Sequence, residues 1–174
     1  MNEASALRRR TDLAKLRELQ SRMPRTLEIL EVLGDPPRSI KLRIRIPTAR
    51  NANYPQEKQN VNDVEITLPE NYPFPPGPMV NFSTPIWNPN VYPSGKWCFG
   101  NWTIMENLEL FVVRLMKVIA FDPTIVNPLS AANREAAGWY VRLKGLRTDL
   151  FPTVSLAGLT ARVEKPKIVF RQIK

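Results

Sequence analysis

The sequence contains no histidine and a single cysteine, Cys98, among its 174 residues. A cysteine protease or a Cys-His acyltransferase needs an imidazole to take the thiol proton, so these classes of enzyme are excluded. Tetrahedral zinc sites are built mainly from thiolate and imidazole, so we expect no metal site and no cofactor. The chemistry that remains for Cys98 is one in which the sulfur itself carries an acyl group, as in transfer from one thioester to another.

Long apolar runs are also missing. The longest apolar stretch, residues 108–121, is interrupted by Arg114 and Lys117, and the first residues reach the basic run 8–10 without an apolar segment. One cysteine cannot form an internal disulfide, which fits a reducing compartment. We therefore expect a cytoplasmic protein with no membrane partner.

The net charge of +9 is concentrated at the two ends of the chain. Residues 1–25 carry seven Lys/Arg and three Asp/Glu, residues 141–174 carry eight and two, and the rest of the chain carries ten and eleven. A nucleic-acid groove is expected to interleave basic and aromatic residues on the folded body, so nucleic-acid binding is disfavoured. Docking of an acidic protein on the first helix is the favoured alternative, and plain solvation is the simplest explanation of both ends.

Hydrophobic periodicity predicts an α+β domain. Apolar residues at near-helical spacing predict a first, amphipathic helix over residues 5–23, which Pro24 ends. Alternating apolar and polar residues predict an antiparallel meander of four strands, at residues 26–33, 39–47, 61–68 and 79–83. The connection over residues 48–60 is predicted to be a polar loop.

Two helices are predicted after Cys98. The apolar residues of 108–121 recur at helical intervals and predict a buried helix that ends near Asp122-Pro123. Asn127 followed by Pro128 matches a helix N-cap followed by a first-turn proline, so the second helix is predicted to begin there and to run to about Lys144.

This order of elements, with a thiol loop between the meander and the last two helices, resembles the ubiquitin-conjugating enzyme family and its UBC fold. The motifs that carry the resemblance are residues 72–82, Asn88-Pro89-Asn90, Gly95 with Cys98, Asp122-Pro123 and Asn127-Pro128. In the family, a His-Pro-Asn motif precedes the acceptor cysteine by the interval that separates Asn90 from Cys98. We expect a UBC-like catalytic domain at residues 1–144 and a basic extension at 145–174.

The resemblance implies a function. Cys98 would accept a ubiquitin-like modifier as a thioester from an activating enzyme, which would dock on the basic first helix, and would pass the modifier to an amine of a target protein. A non-catalytic adaptor of the same fold is an alternative, but adaptors of that type lack the cysteine, so the presence of Cys98 favours an enzyme.

The resemblance leaves the supporting residues open. Asn90 would either stabilise the oxyanion of the tetrahedral intermediate or brace the loop, and Asn88 stands where the family has a histidine of mainly structural role. Asn127 stands where the family often has an acidic residue that assists the incoming lysine, but an asparagine followed by proline also fits a helix N-cap. Trp97 would shield the thioester from water or, as is favoured, anchor the loop.

Several features resemble one branch of the family in particular. The shortened loop after Cys98, residues 127–133 and residues 137–140 resemble stand-alone bacterial conjugating enzymes from ubiquitin-like operons implicated in phage defence. This resemblance implies an antiviral role in a bacterium.

Overall fold

The computed structural model describes residues 2–156. The first helix predicted from the sequence is α1, Glu3–Arg22. The side chain of Asn2 caps it by accepting the amide of Ser5 at 2.8 Å. Its apolar stripe faces the protein interior, and the buried members are Leu13, Leu16 and Leu19, followed by Met23 just beyond the helix. The prediction of an amphipathic helix that stops at Pro24 is confirmed.

Four strands form one antiparallel sheet, as predicted: β1 (Leu27–Leu33), β2 (Ser39–Ile44), β5 (Asn62–Thr67) and β6 (Met79–Phe82), in the order β1-β2-β5-β6. Between β2 and β5, the predicted loop contains a small hairpin of β3 (Thr48–Ala49) and β4 (Lys58–Gln59). Alternation sets the register of β2, because Leu42 and Ile44 are buried while Lys41 and Arg43 point away from the core.

Helix α2 (Leu108–Ile119) is buried along most of its length. It packs with α1 and the sheet in the main hydrophobic core. Its first turn is tied to α1 through Asp12, a buried carboxylate that accepts the amide of Leu108 at 3.3 Å, the hydroxyl of Tyr72 and the guanidinium of Arg8 at 2.7 Å. A negative charge at a helix N-terminus is favourable, so this contact stabilises the start of α2.

The predicted start of the last helix is wrong. Helix α3 is Arg134–Leu146, and its N-cap is Asn133, whose side chain accepts the amide of Ala136 at 3.0 Å. The backbone amide of Asn133 donates to the carbonyl of Pro89 at 3.1 Å, which holds the chain in a non-helical path until that residue. Asn127 caps only an isolated turn, described with the site below.

The boundary that we predicted between the UBC-like domain and the basic extension, at residues 144 and 145, falls inside α3. The residues that follow α3 continue to pack against the rest of the protein. Phe151 is buried against Phe121, at 4.8 Å between ring centroids, and Leu156 lies in the main core. Residues 157–174 lie outside the described part of the chain, so a basic extension stays a prediction for them. Within residues 2–156, no helix combines the length and apolar character needed to cross a membrane.

Candidate active site

Cys98 ends a short paired segment, residues 90–98, that lies beside the edge of β6. Its amide donates to the carbonyl of Asn90 at 2.8 Å, and the amide of Tyr92 donates to the carbonyl of Lys96 at 2.9 Å. The turn between them requires Gly95, which has φ +87° and whose absent Cβ would lie 2.8 Å from the carbonyl oxygen of Phe82. Backbone geometry therefore sets the position of the thiol.

The side chains of this segment alternate between the core and the surface. Val91 and Trp97 pair across the segment and are both buried, whereas Tyr92 and Lys96 are exposed. Trp97 packs against the ring of Phe111, with 4.9 Å between their centroids. Of the two roles considered for Trp97, this packing favours an anchor for the thiol loop.

Cys98 itself is a half-buried free thiol that opens into a shallow recess of about 210 Å³. The recess lies between the thiol segment, the end of α2 and the turn that follows it. Its lining includes Asn90, Trp97, Phe99, Val118, Asn127 and Ser130. The thiol is thus accessible from solvent while one side of it is sheltered by apolar groups.

Asn88 lies beneath this recess as a fully buried brace. Its side-chain amide donates to the carbonyl of Val118 in α2 at 2.8 Å, and its Oδ1 accepts the amide of Asn90 at 2.9 Å. One side chain therefore uses both its donor and its acceptor to join the Asn-Pro-Asn turn to α2. A buried neutral histidine also has one donor and one acceptor, so Asn can take over a bracing role at this position.

Asn90 and Asn127 both line the recess and contact each other. The Oδ1 of Asn90 accepts a hydrogen bond from the backbone amide of Asn127 at 3.1 Å. The Nδ2 of Asn90 has no hydrogen-bond partner among residues 2–156. The Oδ1 of Asn127 accepts the amides of Leu129 and Ser130 at 3.1 and 3.2 Å. The side-chain oxygen of Asn127 is therefore used to shape a turn, whereas the side-chain nitrogen of Asn90 remains available as a donor.

A family model described as "Ubiquitin-conjugating enzyme" matches residues 11–142. The chain belongs to the ubiquitin-conjugating enzyme family. The expected UBC fold is confirmed by the same match and by the order of the elements.

The family members most similar to this chain include two mammalian proteins. "Ubiquitin-conjugating enzyme E2 T" of Bos taurus is 31% identical over 127 residues, which is 64% of this chain and 63% of that protein. "Ubiquitin-conjugating enzyme E2 T" of Mus musculus is 34% identical over 96 residues, or 51% of this chain and 46% of that protein. The chain thus matches less than two thirds of the length of these relatives.

Among solved structures of the family, the one named "S. cerevisiae Ubc12" shares the fold. It superposes with a TM-score of 0.57 and 22% sequence identity, over 80% of this chain and 72% of that one. A likeness at this level of identity concerns the fold alone.

One residue next to the site, Arg114, was not identified from the sequence as part of it. It projects from α2 over the loop that follows Cys98, where it donates to the carbonyl of Phe99 at 3.1 Å and to that of Asn101 at 3.4 Å, and it pairs with Glu106 at 3.0 Å. Its guanidinium also lies over the ring of Trp97, 5.7 Å from the centroid. In the sequence it appears only as an interruption of an apolar run, which gives no indication of what it contacts.

Desolvation opposes the charges of this pair. Burial lowers the pKa of Arg114, and burial raises the pKa of Glu106 even though the nearby guanidinium acts in the opposite direction. The cost of burying these two charges is therefore offset by the hydrogen bonds from Arg114 to the carbonyls and by its contacts with the aromatic rings, in addition to the ion pair itself. Arg114 therefore ties α2 to the loop that follows the thiol.

Tyr92 lies beside the thiol on the exposed face of the segment. The pKa of its hydroxyl is raised, mainly by the negative charge that a Cys98 thiolate places next to it and also by a hydrogen bond between the two side chains. The two residues are diagonal neighbours on the same face, so this contact follows from the pairing of the segment. Tyr92 is therefore close enough to the sulfur for the two side chains to interact.

Proposed function

We propose that this member of the ubiquitin-conjugating enzyme family accepts a ubiquitin-like modifier as a thioester on Cys98 and transfers it to an amine of a target protein. The observation that carries the proposal is the half-buried free thiol in an open recess whose lining includes Asn90, the Nδ2 of which has no hydrogen-bond partner among residues 2–156.

In the first step, the Cys98 thiolate attacks the carbonyl carbon of the thioester on the activating enzyme. A new C–S bond forms, the old one breaks, and the sulfur of the activating enzyme leaves as a thiolate. Sulfur exchanges for sulfur, so the step needs no imidazole. The Nδ2 of Asn90 is the donor that we assign to the oxyanion, a role worth roughly 3–4 kcal/mol in transition-state stabilisation.

Two further asparagines support this role of Asn90. Asn88 holds the backbone of Asn90 against α2, and the amide of Asn127 holds its Oδ1. With the oxygen engaged, the amide group keeps one orientation and presents its nitrogen. Both neighbours therefore act as positioning residues in the proposal.

The second step requires a neutral target amine. None of the residues that line the recess has an imidazole or a carboxylate. We therefore propose that partial desolvation in the recess, close to Phe99 and Val118, lowers the pKa of the incoming ammonium. The neutral amine attacks the thioester carbonyl, the C–N bond forms and the C–S bond breaks. Cys98 leaves as a thiolate, and the proton released from the nitrogen goes to the sulfur or to water.

We propose that the activating enzyme docks on α1, but with fewer basic residues than the composition implies. Arg9 is buried and donates to backbone carbonyls, including that of Pro37 at 2.8 Å. Three other arginines of α1 pair with acidic residues of the same chain; these are Arg8, Arg10 and Arg22. Lys15 and Arg17 have no such ion pair within residues 2–156 and are the side chains that we assign to an acidic partner.

The test is a charging assay with ubiquitin, a ubiquitin-activating enzyme and ATP, read by non-reducing electrophoresis. A peptide thioester ending in Gly-Gly serves as a second acyl donor that needs no activating enzyme. We expect an adduct that dithiothreitol removes, that is absent in Cys98→Ala, and that becomes resistant to dithiothreitol in Cys98→Ser because an oxyester forms instead. Failure with both donors, or an adduct that persists in Cys98→Ala, contradicts the proposal and favours a non-catalytic adaptor.

We also propose that the reaction takes place in the bacterial cytoplasm and serves defence against phage. Support comes from the resemblance of residues 127–133 and 137–140 to operon-encoded bacterial enzymes, and from the single free thiol, which fits a reducing compartment. Phage plating on cells that carry the operon with wild-type or Cys98→Ala protein tests this role. Equal plating on both strains contradicts it.

A further inference from the structure

A groove lies at the end of α1, apart from the thiol. It has a volume of about 490 Å³ and is lined by residues 22–26, 45–47 and 154–156. None of these residues lines the recess of Cys98. Ligand sites in proteins usually measure roughly 300–1,000 Å³, so the groove is large enough to hold a short peptide segment.

Hydrogen bonds hold the three segments of the lining in place. The amide of Arg45 donates to the carbonyl of Thr26 at 2.8 Å, which joins the first segment to the second. The hydroxyl of Thr153 donates to the carbonyl of Pro47 at 2.5 Å, which joins the second segment to the third. The amide of Thr153 also donates to the carbonyl of Ala120 at 2.8 Å. The walls are therefore formed before any ligand binds, which lowers the free-energy cost of binding.

The floor of the groove is apolar. Met23, Ile46 and Leu156 line it, and all three are buried members of the main hydrophobic core. Val154 is more exposed and adds apolar surface to the wall beside them. Such a floor favours a ligand with apolar side chains, because their contact with it removes apolar surface from water.

Arginines surround this floor, since the charged residues of the lining are Arg22, Arg25 and Arg45. Arg22 pairs with Glu109, and its side chain remains 39% exposed. Arg45 pairs with Glu28 and is exposed to the same extent. Arg25 is exposed and forms no ion pair within residues 2–156. The groove therefore offers uncompensated positive charge beside apolar surface.

This combination discriminates between possible occupants. Proteins that bind single-stranded nucleic acid stack its bases on aromatic side chains, and the lining of the groove contains none. Residues 157–174 of the chain carry five Lys/Arg and one Asp/Glu, so their charge has the wrong sign. The same face of a second copy would bring arginines together and is disfavoured for the same reason. An acidic ligand with apolar side chains fits both the arginines and the floor.

We propose that the groove is a docking site for an acidic, partly apolar segment of a partner protein. Its carboxylates pair with Arg25 and with the exposed donors of the other two arginines, and its apolar side chains lie on the floor. Backbone bonds can add to this, since no backbone hydrogen bond within residues 2–156 involves residues 154–156. Because the groove is separate from the Cys98 recess, the partner can stay bound during the proposed thioester chemistry.

Fluorescence polarisation of labelled peptides tests the proposal on the full chain. The probe is Glu-Leu-Glu-Leu-Glu-Leu-Glu, and the two comparison peptides replace either every Glu with Gln or every Leu with Ser. We expect the wild-type chain to bind the probe at least tenfold more tightly than either comparison peptide. In amide NMR spectra, the signals of residues 22–26 and 154–156 should shift when the probe is added.

Two charge reversals locate the site. Arg25→Glu should weaken binding of the probe at least fivefold. Arg142→Glu makes the same change of charge on α3, outside the groove, and should weaken binding less than twofold. Urea unfolding of Arg25→Glu should match that of wild type, because this exposed side chain has no ion pair to lose within residues 2–156.

Three results of the peptide assay overturn the proposal: no binding of the probe, equal affinity for all three peptides, or an equal loss of affinity in both variants. A labelled oligothymidylate serves as the nucleic-acid probe. Tighter binding of this oligonucleotide than of the peptide, with loss in Arg25→Glu, assigns the groove to nucleic acid and also overturns the proposal. None of these measurements involves a thioester, so they leave the proposed function of Cys98 to its own test.

Discussion

Replacing Asn88 is expected to damage both stability and charging. In Asn88→Ala, the carbonyl of Val118 loses one hydrogen bond but keeps another from the amide of Phe121 at 3.0 Å, so the expected cost there is about 1 kcal/mol. The half-buried amide of Asn90 loses its acceptor, which adds about 1–2 kcal/mol. The free energy of unfolding should therefore fall by about 2–3 kcal/mol.

Urea unfolding followed by tryptophan fluorescence measures this loss, and the charging assay measures its effect on the thiol. Asn81→Ala is the matched control, because Asn81 is an exposed asparagine on β6, and a change of less than about 0.5 kcal/mol is expected for it. Asn88→His restores one donor and one acceptor, so it should recover charging better than alanine does. Equal stability of Asn88→Ala and Asn81→Ala would refute the bracing role of Asn88.

Three further predictions concern the support of the site and the sheet. Arg114→Met should lower the free energy of unfolding by about 2–3 kcal/mol and slow Cys98 charging, because the loop loses charged hydrogen bonds to its carbonyls. Gly77→Ala should destabilise the fold by more than about 3 kcal/mol, since Gly77 has φ +83° and a Cβ there would lie 2.3 Å from Cγ of Trp102. Asp63→Asn should cost about 0.2–1 kcal/mol near pH 7, and the difference from wild type should shrink as the pH falls below 3.8.

The sign of the last prediction follows from the pKa of Asp63. The hydrogen bond from Arg43 lowers this pKa in the folded state, so the ionised pair stabilises the fold above the ordinary value of 3.8, and the stabilisation is lost as the pH falls through the lowered pKa. Denaturant titrations at several pH values measure it. A difference between wild type and Asp63→Asn that grows in acid would contradict the argument.

Controls for the other two variants are available in the same chain. Gly145→Ala adds a Cβ in a helix where no atom lies within 4 Å, so it should be tolerated if the effect at Gly77 is steric. For Arg114, the lysine variant keeps the charge but loses the fork of donors, and it should fall between wild type and methionine. Normal charging kinetics in Arg114→Met would show that the loop does not depend on this side chain.

Elements with a clear period were predictable from the sequence. The apolar spacing of α1 and α2 fits only a helix with one buried face, and the alternation on β2 fits only a strand with one buried face, because the buried side chains have to form a continuous surface. The start of α3 was not predictable from local capping chemistry alone. Asn127 and Asn133 are both good caps, and the choice between them depends on a hydrogen bond from Asn133 to Pro89, a residue distant in the sequence.

Within the site, the sequence identified the residue types but not their contacts. Cys98 was identified as the single cysteine of the chain and Asn90 through the resemblance to the family motif, and their common recess follows from the pairing of residues 90–98. The contacts of Asn88 with Val118, and of Arg114 with the loop after the thiol, join segments that are 15 to 30 residues apart. No short-range pattern encodes such contacts.

The carboxylate of Asp12 connects α1 to the hydroxyl of Tyr72 and to the first amide of α2. Arg8 extends the connection by donating to the carbonyls of Ile104 and Glu106, in the stretch that leads from Cys98 into α2. Deleting the first helix would therefore loosen the approach to the thiol as well as remove the docking surface that we propose. Recruitment of an activating enzyme is better tested by reversing charge at Lys15 and Arg17, which leaves this junction intact.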